Sequence, residues 1–114
     1  MKSGELYRAP INGHLILYPT ADYCTQATRV EHGFSDWVSF SVATKDQVAA
    51  DWWGGWLKCQ VRYADPCEIF LIVSKKNVGY GLIANVLFSD RQGWIMLDYK
   101  NISGITLIKK SVEC

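Results

Sequence analysis

Residues 57 to 63 alternate strictly, with Leu57, Cys59, Val61 and Tyr63 on one side and Lys58, Gln60 and Arg62 on the other. That period of two predicts a half-buried strand. Trp37 to Val42 repeat it, setting Val38, Phe40 and Val42 against Ser39 and Ser41. Two apolar runs lack the alternation. His14 to Tyr18, between Asn12-Gly13 and Pro19, predicts a short strand that ends at the proline, which cannot donate to a ladder. Cys67 to Val73 predicts a central strand covered on both faces. Asp65-Pro66 supplies a turn before it, so the strand ending at Tyr63 and the one starting at Cys67 are expected to form a hairpin. Tyr80 to Phe88 reads as a further strand, although Leu82, Ile83, Val86 and Leu87 also fit a helical stripe. A turn at Ser89 to Gly93, a strand over Trp94 to Tyr99, a turn at Ser103-Gly104 and a last strand over Ile105 to Lys109 complete the chain.

Helical spacing replaces alternation in two places. Thr20 suits an N-cap, and Ala21 to His32 bring Cys24, Ala27 and Val30 onto one stripe, with Gly33 where a left-handed C-terminal cap favours a residue without Cβ. Thr44 and Gln47 have the spacing of a capping box, which predicts a second helix that Gly54-Gly55 end about ten residues on, with Trp52 and Trp53 at its close. The sum is an α+β fold: two short helices packed on a mainly antiparallel sheet of about five to six strands, the C-terminal half a β-meander. At 114 residues the chain fits one domain spanning 1–114.

Composition narrows the classes of function. Hydrophobic residues make up 49%, enough for a core that needs no disulfide or metal staple, and charged residues only 20%. Twelve Lys+Arg against eleven Asp+Glu leave a formal charge of +1, which describes neither a basic nucleic-acid arm nor an acidic tail. Met1 to Arg8 contain Glu5 and Arg8 where an export signal needs an unbroken apolar run of about 7 to 15 residues, and no apolar stretch approaches the ~20 residues of a membrane span. Cys24, Cys59, Cys67 and Cys114 show no C-x-x-C pair and no histidine at ligand spacing. Reduced thiols in a cytoplasmic protein without metal or cofactor are the expectation.

Several residues invite chemistry, each with a plainer alternative. Lys76-Asn77-Val78-Gly79-Tyr80-Gly81 resembles the R/Q-x-x-G-x-G/A loop of the N-acetyltransferase superfamily. The resemblance implies that Gly79, Gly81 and the neighbouring amides hold the pyrophosphate of acetyl-coenzyme A at the start of a helix. It extends to the apolar segment Trp94 to Leu97 followed by Asn101. The alternative is a strand entry or bulge that uses glycine's backbone freedom. Arg8, the serine-bearing strand around Ser39 and Glu68 occur in the order of the ADP-ribosyltransferase pattern and resemble it; in that family the arginine and serine shape a dinucleotide site and the glutamate is catalytic. A surface charge and a solvated strand face are the alternative for Arg8, Ser39 and Ser41. His14 and His32 each stand alone, without a nucleophile or carboxylate in recognisable order, so an enzyme is not the favoured reading.

The aromatic residues carry more weight. Five Trp, six Tyr and four Phe make up 13% of the chain, and three of the tryptophans crowd into Asp51-Trp52-Trp53-Gly54-Gly55-Trp56. One short segment cannot readily bury three indoles in so small a core, so at least one of Trp52, Trp53 and Trp56 is expected to be exposed and to bind a partner, since exposed tryptophan is typical of interface hot spots. The alternative has all three covering the open face of the sheet. The favoured reading is a small, non-enzymatic protein-binding module of the inhibitor, immunity-protein or phage-inhibitor kind. A minimal acetyltransferase using Gly79 and Gly81 is the alternative. Single-stranded nucleic acid, with the rings as stacking platforms and Lys75, Lys76, Lys100, Lys109 and Lys110 on phosphates, is a third.

Overall fold

The computed structural model describes residues 3–11, 13–25, 42–77, 82–97 and 105–109. Its spine is the apolar run expected to be a strand, now β2 (His14–Leu17). Leu15 and Leu17 enter one core cluster and Ile16 enters another, so the strand has no solvent face. β2 pairs antiparallel with β3 (Val42–Ala43) through its first two residues and with β4 (Arg62–Tyr63) through its last two. Just past β2, Tyr18 exchanges two backbone hydrogen bonds with Trp94, at 2.8 and 2.9 Å.

That bridge joins the three-stranded sheet to a five-stranded antiparallel one. The larger sheet is built from β1 (Leu6–Arg8), β5 (Ile69–Asn77), β6 (Leu82–Leu87), β7 (Gln92–Leu97) and β8 (Thr106–Lys109), in the order β7-β6-β5-β1-β8. Period-two alternation gives the sheet one continuous apolar face. Tyr7, Phe70, Ile72, Ala84, Val86, Ile95 and Leu97 share it, and Leu15, Leu17 and Ala64 pack against them. Ile83 and Met96 point the other way and form the second cluster with Ile16, Tyr18, Cys24, Trp53, Leu57 and Val61. Three short helices line that second cluster. Residues 21–25 are helical (α1), with Thr20 capping through Oγ1 to the Tyr23 amide. α2 (Lys45–Ala49) and α3 (Trp52–Leu57) follow β3.

The α+β class and antiparallel pairing agree with the sequence, as does the strand preferred over residues 80–88, here β6. Four expectations need correction. The second helix is two helices, because Asp51 adopts left-handed backbone angles (φ 48°, ψ 44°) between α2 and α3, and Gly54 and Gly55 lie inside α3 rather than ending it. The alternating segment 57–63 is mostly not strand: Leu57 closes α3, Lys58 caps it at φ 54°, and only Arg62 and Tyr63 pair. Its sidedness was nevertheless readable, since Leu57, Cys59, Val61 and Tyr63 all face the second cluster. The expected hairpin is absent: β4 pairs with β2, and β5 with β1 and β6. β5 is central in the sheet but covered on one face only, with Ile69 and Val73 exposed. The meander runs from β5 to β7, while β8 pairs with β1 at the far edge. Within Trp37 to Val42 only Val42 is among the described residues, and the remainder of the first predicted helix, 26–32, also lies outside them.

Two local devices set the joint between the sheets. Gly93 lies against β2 so closely that a Cβ would stand 3.0 Å from the Leu17 Cβ and 3.3 Å from the Tyr18 carbonyl. Arg91, in the β6–β7 turn, forms a half-buried ion pair with Glu68 and a second with Asp90, while its guanidinium lies 4.7 Å from the centre of the Phe88 ring. Glu68 also accepts the Asp65 amide at 2.9 Å, so the pair ties the β6–β7 turn to the segment leading into β5. Gly93→Ala should therefore cost about 1–3 kcal/mol in urea unfolding, as overpacking against backbone does. Arg91→Met should cost about 1–3 kcal/mol, because it leaves the half-buried Glu68 carboxylate without its cation; a wild-type midpoint in either variant would show that the joint does not depend on that contact.

Candidate functional site

α3 has the sequence WWGGWL, poor in intrinsic helix formers, and is held by its two ends and by its burial. Asp51 and Lys58 flank it in left-handed conformations that cost side-chain-bearing residues roughly 1–2 kcal/mol each. The Lys58 and Cys59 amides both donate to the Gly54 carbonyl, closing the C-terminal turn. Aspartate tolerates the left-handed region better than most residues. Its carboxylate sits over Gly54, where a Cβ would come within 2.6 Å of Oδ1. The Tyr63 hydroxyl donates to Asp51 Oδ1 at 3.3 Å. β4 thus holds the start of α3 in place.

The three indoles separate into one buried and two exposed. Trp53 is fully buried against Ile16, Tyr18, Ile83 and Met96, so it does not reach the surface as a binding residue. Trp52 and Trp56, one helical turn apart, are 40% and 39% exposed. Their rings are parallel to within 1° with centres 6.4 Å apart. Trp53 stands edge-on to both, at 4.6 and 6.0 Å. Edge-to-face contacts of this kind contribute about 0.5–1.5 kcal/mol each beyond area burial, so the buried ring orients the two exposed ones. The expectation that the cluster exposes at least one indole is met by two.

Gly55 lies beside them and is exposed, with nothing within 4 Å of the position its Cβ would take. The fold does not need glycine there, and glycine in an exposed helical position costs about 1 kcal/mol relative to alanine. Sequence reasoning treated Gly54 and Gly55 alike as a helix stop; only the backbone geometry separates the one that accommodates Asp51 from the one that accommodates nothing in the chain itself.

The other candidates do not assemble into a site. Gly79 and Gly81 lie outside the described residues. The strands on either side pair with each other, Asn77 opposite Leu82, and a strand rather than the helix required by an acetyl-coenzyme A cradle follows them. Glu68 is engaged by Arg91, Arg8 stands exposed on β1, and Ser39 lies outside the described residues. His14 Nδ1 is 3.0 Å from the Ala64 carbonyl, a contact inside the fold, and His32 lies outside the described residues. Lys75 and Lys76 are exposed at successive positions of β5, hence on opposite faces of the strand, and make no basic stripe; Lys100 and Lys110 lie outside the described residues. Cys24, Cys59 and Cys67 are not disulfide-bonded, and burial pushes the Cys24 thiol up. Cys114 lies outside the described residues. Among the described residues no group of three or more His, Cys, Asp or Glu could hold a metal ion, and no helix is long and apolar enough to cross a membrane. Comparison of the chain with protein-family models, with curated proteins and with solved structures finds no match.

Burial, with the Asp51 charge behind it, pushes the Tyr63 hydroxyl up to about 12 from its ordinary 10.0. Because the folded state holds this proton more tightly than the unfolded one, the associated stability is complete below pH 10 and is lost as pH rises toward 12. Tyr7, pushed up to about 12 by burial and then by its 2.8 Å hydrogen bond to Glu5, adds to the same decline. Urea unfolding between pH 9 and pH 12 should show stability falling across the range bounded by those values, and Tyr63→Phe should make the fall shallower; an identical slope in the variant would remove Tyr63 as a titrating anchor of α3.

Proposed function

We propose that the chain is a protein-binding module, acting in the cytoplasm, whose contact surface is centred on Trp52 and Trp56. One observation carries the reading: two parallel, 40% and 39% exposed indoles are held on a short helix by a third that is fully buried. Large rings held in one orientation lose little conformational entropy when a partner covers them, which is why tryptophan is enriched among interface hot spots. The two left-handed caps support it further, since backbone strain that a fold retains collects where function needs a fixed geometry. The proposed mode of action is occlusion, a rigid apolar surface laid over part of another protein, as an inhibitor or immunity protein does.

The test places a photo-activated benzophenone side chain at position 52 or position 56, in turn, in cells of the source organism. A cross-linked adduct with a defined protein is expected from both positions. With that protein purified, Trp52→Ala and Trp56→Ala should each weaken binding by about 2 kcal/mol or more while circular dichroism and the unfolding midpoint stay near wild type. Adducts confined to nucleic acid, or affinity indifferent to both substitutions, would overturn the reading.

A further inference from the structure

Resting on that reading of the same surface, we infer that the partner is a second copy of this chain, docked through α3 in an antiparallel, two-fold arrangement. Three features of α3 fit a copy of itself. First, its poles carry opposite charge: Asp51 at the start and Lys58 at the end are both exposed and lie about 10 Å apart at 1.5 Å rise per residue. An antiparallel mate puts Lys58 of the partner subunit opposite Asp51, and the partner's Asp51 opposite Lys58. Among the described residues the Asp51 side chain accepts the 3.3 Å hydrogen bond from Tyr63 on Oδ1, and a carboxylate has a second oxygen to offer a cation.

Second, the midpoint between those poles falls between Gly54 and Gly55, where two such helices would cross. The exposed Gly55 has open space above it, and a residue without Cβ at a crossing point lets two backbones come close. The cost of an exposed helical glycine, unexplained within one chain, is explained by a second.

Third, Trp52 and Trp56 offer matching faces. A two-fold axis through the crossing point brings Trp52 of one copy near the partner's Trp56 and the reverse, so each parallel pair meets the same pair turned around. Contacts of this kind are isologous, and a two-fold pair closes on itself. The formal charge of +1 leaves two copies with little net repulsion.

Sedimentation equilibrium from low micromolar to near-millimolar concentration tests the inference. Wild type is expected to pass from monomer to dimer. Trp56→Ala should weaken dimerisation at least tenfold, and Lys58→Glu should weaken it several-fold by setting like charges against each other. Gly55→Ala should split two measurements: a higher urea midpoint at concentrations where the chain is monomeric, together with a weaker dimer. A glycine kept for close approach of two copies predicts those opposite signs, and neither Gly55→Ala nor Lys58→Glu removes core packing, so both remain informative if the tryptophan variants fail to fold. A wild-type chain that stays monomeric throughout, or a dimer that ignores both Gly55→Ala and Lys58→Glu, would overturn the second-copy assignment. In either case a cross-link from position 52 or 56 to a different protein would leave the protein-binding reading standing, whereas no protein adduct at all would end both.

Discussion

β2 has no solvent face, and most of the architecture follows from that. A short strand in which Leu15, Ile16 and Leu17 are buried alternately on both sides needs a sheet beneath it and a layer above it. The five-stranded sheet supplies the first through Leu15 and Leu17, and the helices supply the second over Ile16 and Tyr18. Because β2 is also bridged to β7 at Trp94, Ile83 and Met96 of the larger sheet come onto the helical side as well. Among the described residues Trp53 is the largest fully buried side chain, and it fills the space those residues leave. Once that indole is fixed, the backbone of α3 is fixed, and Trp52 and Trp56 are where a helix of that phase must put them.

α3 shows how tertiary packing overrides local preference. Two glycines, three aromatics and two left-handed flanking residues make a segment that would not hold helical geometry in isolation. Burying Trp53 and Leu57 offsets this, at roughly 1.5–3 kcal/mol per large apolar side chain removed from water. Asp51 does two things at once: its left-handed backbone turns the chain out of α2, and its carboxylate, lying over Gly54, takes the Tyr63 hydrogen bond that links the helix to β4.

Much of this was legible in the sequence where one physical signal dominates. The Thr44–Gln47 capping box forms in both directions, with the Gln47 amide on Thr44 Oγ1 at 3.2 Å and the Thr44 amide on Gln47 Oε1 at 2.9 Å. Thr20 caps as its position before an apolar stripe implied. The alternation of 57–63 named the correct buried side and the wrong backbone, because an αL residue at Lys58 can keep side chains facing one cluster without a strand. Lysine gives no hint of that conformation, and aspartate at position 51 gives only a weak one. β1 has three residues, too few to show a period, and its place between β5 and β8 depends on pairings that no local pattern encodes. The tryptophan cluster was visible as a composition; which ring turns inward depends on the phase of α3, and that phase is set at Asp51.

The residues of α3 therefore divide into those the chain needs for its own fold and those it does not. Trp53 and Leu57 fill the second cluster, and Gly54 makes room for a carboxylate. Trp52, Gly55 and Trp56 lie outside that core: two large apolar rings stay partly in water, and a glycine occupies a helical position that alanine would stabilise. Sequences that specify a fold tend to agree with local preference, and the positions that depart from it without an internal gain are where a demand from outside the chain is most economically placed. All three departures fall on one exposed side of a single helical turn and a half. A surface chosen only for solubility would carry polar side chains there, so the three departures have one place on the helix and call for one explanation.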